Sequence, residues 1–193
     1  MVLLAAMLVA TVPLFGGRLR SLGQLRIRSF WLIASALALQ VLAISVVPTW
    51  PHGVLVAAHL VSYVLAGWFV WLNRRISGLP IVALGGALNA LAIAVNGGTL
   101  PASRSALAAA GIHPVAGDFN NSGVLAHPHL AWLGDVLAVP AAVPMANVFS
   151  IGDVLILVGF AYGLHHLCGT RLVRGSRRVS EGLSTATPAA VPQ

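Results

Sequence analysis

Two aspartates stand where apolar runs begin in the second half of the chain. Leu133-Gly-Asp135-Val-Leu recurs 18 residues later as Ile151-Gly-Asp153-Val-Leu, with an acid at the mouth of each run. A helix N-terminus favours negative charge at that point. Ser150-x-x-Asp153 fits a capping box, in which a hydroxyl and a carboxylate satisfy exposed backbone donors. Asp135 has Trp132 three residues before it and lacks the reciprocal cap, so it is the better candidate for a functional carboxylate.

Three more polar residues interrupt apolar stretches at helical spacing. His59, Ser62, Tyr63, Ala66 and Gly67 form one stripe, Gly85, Asn89, Ala92 and Asn96 a second, and Ala36, Gln40 and Ala43 a third. Small residues with polar interruptions mark helix–helix contact. Gln40, His59 and Asn89 therefore have two readings: interhelical hydrogen bonds, or the floor of a pocket lidded by the long segment that follows. Asn96-Gly97-Gly98 suits a helix C-cap that needs a left-handed glycine, or a pocket rim where bare backbone approaches a ligand.

His127-Pro-His129, with Asp135 and His113 or Asp118, offers ligand types that zinc accepts. The spacing matches no zinc pattern, so no metal site is assigned. His59 and the pair His165-His166 fall at opposite ends of their runs and cannot share a haem iron; the pair suits the last turn of its helix. There is no phosphate loop, no Gly-x-Ser-x-Gly elbow and no His-Glu-x-x-His helix. No cofactor is expected, and the lone Cys168 excludes an internal disulfide or a cysteine cage.

The elements that must position these residues follow from composition. The 193 residues are 58% hydrophobic and 8% charged, with mean hydropathy +0.91, far from the roughly 25% charged of a soluble domain. Five apolar stretches approach the length of a spanning helix, about 17–25 residues: 1–15, 30–47, 54–72, 79–95 and 151–167. The first lacks the basic start of a secretory signal and carries its arginines after the run, so it is expected to be retained. Ten of the eleven arginines fall in alternate connections. The positive-inside rule then gives an N-terminus outside and a C-terminus in the cytoplasm. The +7 charge is topology, with some attraction to anionic lipid, and a nucleic-acid partner is not expected. On this threading Gln40, His59 and Asn89 share a depth about 8–10 Å below the outer edge at about 1.5 Å per residue.

The expected fold is an all-α, polytopic membrane helix bundle in one domain over 1–170, with a disordered cytoplasmic tail over 171–193. An outer segment over 96–150 is too long to lack structure. Within it Pro101–Ala110 reads as a short helix with proline in its first turn. Gly117–Gly123 reads as a turn cluster, and Trp132–Val143 as a re-entrant or interfacial stretch.

Asn96-Gly-Gly98 with Pro101, Trp132-Leu-Gly-Asp135 and Ser150-Ile-Gly-Asp153, in this order, resemble the pattern of a family of small bacterial integral membrane proteins known as a domain of unknown function. Leu100 stands where that pattern carries a methionine. The resemblance covers most of the chain and implies a multi-pass bacterial membrane protein; it implies no activity, substrate or cofactor.

The expected function is binding of a ligand or partner from the outer face of the plasma membrane by Asp135, Asp153, His59, Asn89, Gln40 and Asn96, without covalent chemistry. One alternative is an enzyme acting on a lipid or isoprenoid headgroup, with Asp135 and a histidine as acid and base or as metal ligands. Another is a structural or assembly subunit that holds a membrane-protein partner.

Overall fold

A computed structural model of the chain describes residues 2–43, 50–113 and 122–173. The expected end of the second apolar stretch at Pro48, most of the Gly117–Gly123 cluster with Asp118, and the tail from Arg174 onward lie outside these residues. The backbone divides into two compact units, Ile27–Phe160 and the chain ends Met1–Arg26 with Ala161–Gln193.

The larger unit is built on helices α2 (Phe30–Val41), α3 (His52–Leu72) and α4 (Leu79–Val95) and on most of α6 (Ile151–Leu167); α1 (Val2–Leu14) belongs to the other unit. Helix α4 starts after Gly78 at φ 84° with Pro80 in its first turn, where a proline loses no bond. It stops at Asn96, because Gly97 and Gly98 take φ 66° and 98° and the Gly98 amide turns back to the Ile93 carbonyl at 2.9 Å.

The segment between α4 and α6 is not helical throughout. Strand β1 (Leu100–Pro101) is followed by the short helix α5 (Arg104–Ala110), then by β2 (Ser122–Gly123), β3 (Asp135–Val139) and β4 (Asn147–Ser150). β1 pairs parallel with β2, and β3 pairs antiparallel with β4. The expected all-α fold is therefore mostly helical with two short strand pairs. Pro101 lies in β1 rather than in the first turn of the helix. Ser103 caps α5 by accepting from the Ala106 amide, and Gly111 ends it at φ 66°. Trp132–Val143 becomes a 3-10 turn over Ala131–Leu133 and the first arm of a hairpin. A strand was hidden there because the run lacks the polar–apolar alternation that marks one.

The two strand pairs meet at Asp135. Ala102 bridges to it, and the Ser103 amide donates to its carbonyl at 3.0 Å. Gly134 is required for this approach, since a Cβ there would run into the Pro101 carbonyl. Beneath the junction Ala92, Ile93, Leu100 and Leu133 form a buried cluster, with Tyr63, Leu88 and Leu130 packed on it.

Helices α4 and α6 touch through glycine at both ends of their contact. A Cβ on Gly85 would strike the Gly152 carbonyl, and one on Gly159 would lie 2.8 Å from the Gly78 carbonyl. Both pairs are seven residues apart on each helix, so the helices run antiparallel along one seam of missing side chains. Such a seam lets two backbones approach closely.

These helices turn large apolar side chains outward, and α3 and α4 bury polar residues beside Leu55, Phe69, Ala92 and Ile93. On α3, His59 and Ser62 are 1% and 0% exposed, whereas Val64 and Trp71 are 68% and 61% exposed. Large apolar side chains also face outward on α2 (Phe30, Trp31, Leu37), α4 (Leu84, Leu91, Val95) and α6 (Val158, Phe160). Among the described residues one helix, Gly53–Leu72, is long and apolar enough to cross a membrane. The other apolar helices are shorter; at about 1.5 Å per residue, 17 residues reach about 25 Å.

Asn73 ties the start of α2 to the end of α3. Its side chain donates to the Arg28 carbonyl at 2.9 Å and to the Phe69 carbonyl at 2.8 Å, and it accepts from the Arg28 amide at 2.9 Å. The residue is buried. Asn73→Ala is expected to cost about 2–4 kcal/mol, the lost bonds plus buried groups left unpaired. Thermal unfolding followed by the loss of helical circular dichroism measures it.

In the smaller unit α1 packs on the last turns of α6 through Val12, Leu164 and Cys168. His165 does not simply complement its helix end. Its ring lies between Thr11 Oγ1, 3.1 Å from Nε2, and Thr170 Oγ1, 3.2 Å from Nδ1. Thr11 already donates to the Leu8 carbonyl at 2.6 Å, so it accepts from the ring, which places a proton on Nε2. His166 stacks at a tilt on Tyr162, with ring centroids 5.8 Å apart.

Candidate functional site

The hairpin carries β4 directly into α6, so Ser150 is both the last strand residue and the helix cap. The Asp153 amide donates to Ser150 Oγ at 3.0 Å and the Ser150 amide donates to Asp153 Oδ2 at 3.0 Å, a complete capping box. Asn89 closes the group from α4. Its Nδ2 donates to Asp153 Oδ1 at 3.1 Å, and its Oδ1 accepts from Ser150 Oγ at 2.8 Å. Ser150 is fully buried and Asn89 nearly so. Gly152 gives them room, because a Cβ there would occupy the place of Asn89 Oδ1.

Asp135 joins this group through the sheet, paired with Ser150 across the hairpin. The side chain is 5% exposed, and Ser122 on β2 hydrogen-bonds its carboxylate. Burial pushes its pKa above the ordinary aspartate value of 3.8 and the nearby Asp153 charge adds to this, while the Ser122 bond works the other way. The two aspartates of the repeated pentapeptide thus converge on one serine in different roles. Asp153 spends its oxygens on the helix cap and Asn89. Asp135 sits buried at the junction of the two strand pairs, with its pKa raised chiefly by that burial.

Gln40 and His59 belong to an adjoining group on α2 and α3. Gln40 Nε2 donates to Ser62 Oγ at 3.0 Å, and Ser62 donates to the His59 carbonyl at 2.6 Å. The His59 ring stands edge-on to Tyr63, with centroids 5.2 Å apart. Tyr63 links the two groups: it packs on the cluster beneath Asp135 and lies within electrostatic reach of Asp153. Asn96 sits apart, at the end of α4. Its amide donates to the Ala92 and His129 carbonyls, both at 2.7 Å, and accepts from the His129 amide at 2.8 Å. It fastens the following segment to α4.

His113, His127 and His129 are exposed. Among the described residues no three of His, Cys, Asp and Glu gather as metal ligands would. Sequence reasoning overlooked Ser122, whose place beside Asp135 depends on the pairing of β2 with β1. It treated Ser150 only as a cap and Tyr63 only as part of a stripe.

The chain is 29% identical over 92 residues to an uncharacterized protein of Thermotoga maritima, which covers 48% of this chain and 52% of that protein. The chain thus spans about half the length of this relative. No solved structure matches it. A family model described as a family of unknown function, DUF5317, matches residues 24–164, and the chain belongs to that family.

Proposed function

We propose that the protein is a multi-pass integral membrane protein of the bacterial plasma membrane, N-terminus outside and C-terminus in the cytoplasm, which binds a ligand or partner from the outer face at Asp135. The observation that carries this reading is that α2, α3, α4 and α6 turn large apolar side chains outward while α3 and α4 bury polar ones. In water, helices bury Val and Trp and expose His, Asn and Ser; here buried His59, Ser62, Asn89 and Ser150 are wrapped in exposed Val61, Val64, Trp68, Leu84 and Leu91. In hydrocarbon that arrangement is favourable, because polar groups need protein partners and apolar ones do not. Helices of 12 and 17 residues, such as α2 and α4, are short for a hydrocarbon layer of about 30 Å; local thinning and flanking residues accommodate such mismatch.

On this threading the acidic group faces outward, with Asn89 and Ser150 holding Asp153 and leaving Asp135 to meet the ligand. The raised pKa of Asp135 also suits an acid–base role toward a lipid headgroup, the enzymatic alternative.

Alkaline carbonate extraction of native membranes, with labelling of single cysteines placed at 104 and 75, tests the threading in a Cys168→Ser background. The protein is expected to stay in the pellet, with position 104 labelled from outside and position 75 only after permeabilisation. Release into the supernatant, or labelling on one side at both positions, refutes it.

A further inference from the structure

Asn73 fixes the side-by-side placement of the α2 start and the α3 end through its two bonds to the Arg28 main chain, both 2.9 Å. Arg28 is thereby set beside Arg74 and Arg75, and all three side chains are exposed. Trp31 is 60%, Trp68 54% and Trp71 61% exposed on the adjoining turns. The Arg74 guanidinium lies over the Trp71 ring at 5.1 Å and donates to the Trp71 carbonyl at 3.0 Å.

Among the described residues no acid lies at this end. The sequence has no Asp or Glu before Asp118. Within the larger unit, the described acids Asp135 and Asp153 belong to the opposite end. The glycine seam sets this: Gly78, just beyond Arg75, lies against Gly159, whereas Asn89 meets Asp153. From Gly78 to Asn89 the helix rises about 16 Å at about 1.5 Å per residue, beyond a Debye length of about 8–10 Å for exposed charges in water.

We propose that this end of the larger unit is a docking surface for anionic phospholipid headgroups. Arg28, Arg74 and Arg75 bind the lipid phosphate, and Trp31, Trp68 and Trp71 lie where acyl chains meet headgroups. The inference rests on the membrane reading above. Guanidinium forks match phosphate oxygens in pairs, and tryptophan concentrates at the membrane–water boundary with its ring in the apolar edge. Charge complementarity selects the lipid: phosphatidylglycerol carries an uncompensated phosphate, while the choline of phosphatidylcholine repels the same arginines. Each basic residue at such a surface strengthens attachment about fivefold at moderate salt.

Native mass spectrometry of the full chain, released from micelles holding equal amounts of the two lipids, tests the surface. Retention of phosphatidylglycerol over phosphatidylcholine is expected to exceed about tenfold. Arg104→Gln, at the start of α5, should leave the ratio unchanged. The triple variant Arg28→Gln/Arg74→Gln/Arg75→Gln should bring it near parity while the helical circular dichroism stays that of the native chain. If that variant loses helical signal, the pair Arg74→Gln/Arg75→Gln takes its place and should lower the ratio at least severalfold.

Parity in the native chain overturns the proposal, as does a ratio untouched by the arginine changes. Displacement of the lipid by millimolar inorganic phosphate would make this a free-phosphate site and also overturns it. A chain that carbonate releases, yet that floats with phosphatidylglycerol vesicles through these arginines, refutes the membrane reading alone.

Discussion

Gly152→Ala is expected to cost about 3 kcal/mol or more, at the upper end of what overpacking usually does. The new methyl would occupy the position of Asn89 Oδ1 and lie 2.6 Å from the Gly85 carbonyl. The second neighbour is helix backbone and cannot turn aside, so the helices must separate, and separation breaks the bonds of Asn89 to Ser150 and Asp153. Gly86→Ala is the matched control. It lies one residue from Gly85 on the same helix, yet nothing stands within 4 Å of its Cβ position. Removing a mid-helix glycine there should stabilise by about 0.5–1 kcal/mol. Thermal unfolding read by helical circular dichroism distinguishes the two; equal effects would mean that the seam does not hold the helices.

The second large effect concerns Asp135. Its folded-state pKa is raised above the ordinary 3.8, chiefly by burial, so the folded state holds the proton more tightly than the unfolded chain. The stability tied to that proton is fully present below the unfolded value and is lost as pH rises through the folded one. Unfolding midpoints should therefore decline across that window. Asp135→Asn keeps the shape without the buried charge, and it is expected to flatten this slope and to be at least as stable near neutral pH. If Asp135 serves the ligand, the same variant loses activity in the cell while remaining folded. A variant that keeps the full slope assigns the titration to another group. One that is folded and fully active removes Asp135 from the site.

The helices were legible because apolar length and caps are local. Residues 79–95 and 151–167 were expected to be apolar helices and are α4 and α6 to the residue. The Ser150–Asp153 box is likewise a matter of four consecutive residues. The helix expected from Pro101 begins at Arg104, and Trp132–Val143 holds a strand, for one reason. Pro101, Ala102 and Asp135–Val139 take their form from partners far along the chain, and a short apolar run has the same appearance as strand or helix. Leu133-Gly-Asp135-Val-Leu and Ile151-Gly-Asp153-Val-Leu show this most plainly: the shared Asp-Val-Leu is strand beside Ala102 and Ser150 in one place and helix in the other. Asn89 and the two aspartates were each visible as residues out of keeping with their surroundings. Their meeting was not, because hairpin register creates it. Asn73 went unnoticed because it ends its helix beside two arginines, where a polar residue attracts no attention.

The hairpin that ends in Ser150 is also expected to govern how the larger unit comes together. Ser150 and Asn89 are 61 residues apart in sequence, and α6 emerges last from the ribosome, so α4 must wait with its strip of glycine and amide uncovered. Bringing the ends of a flexible loop together grows costlier by about 0.6 kcal/mol for each doubling of its length. Early closure of the β3–β4 and β1–β2 pairs is expected to shorten the loop that α6 must close. Damage to the hairpin turn should therefore slow assembly more than it weakens the finished protein, leaving α4 uncovered for longer and open to degradation during synthesis.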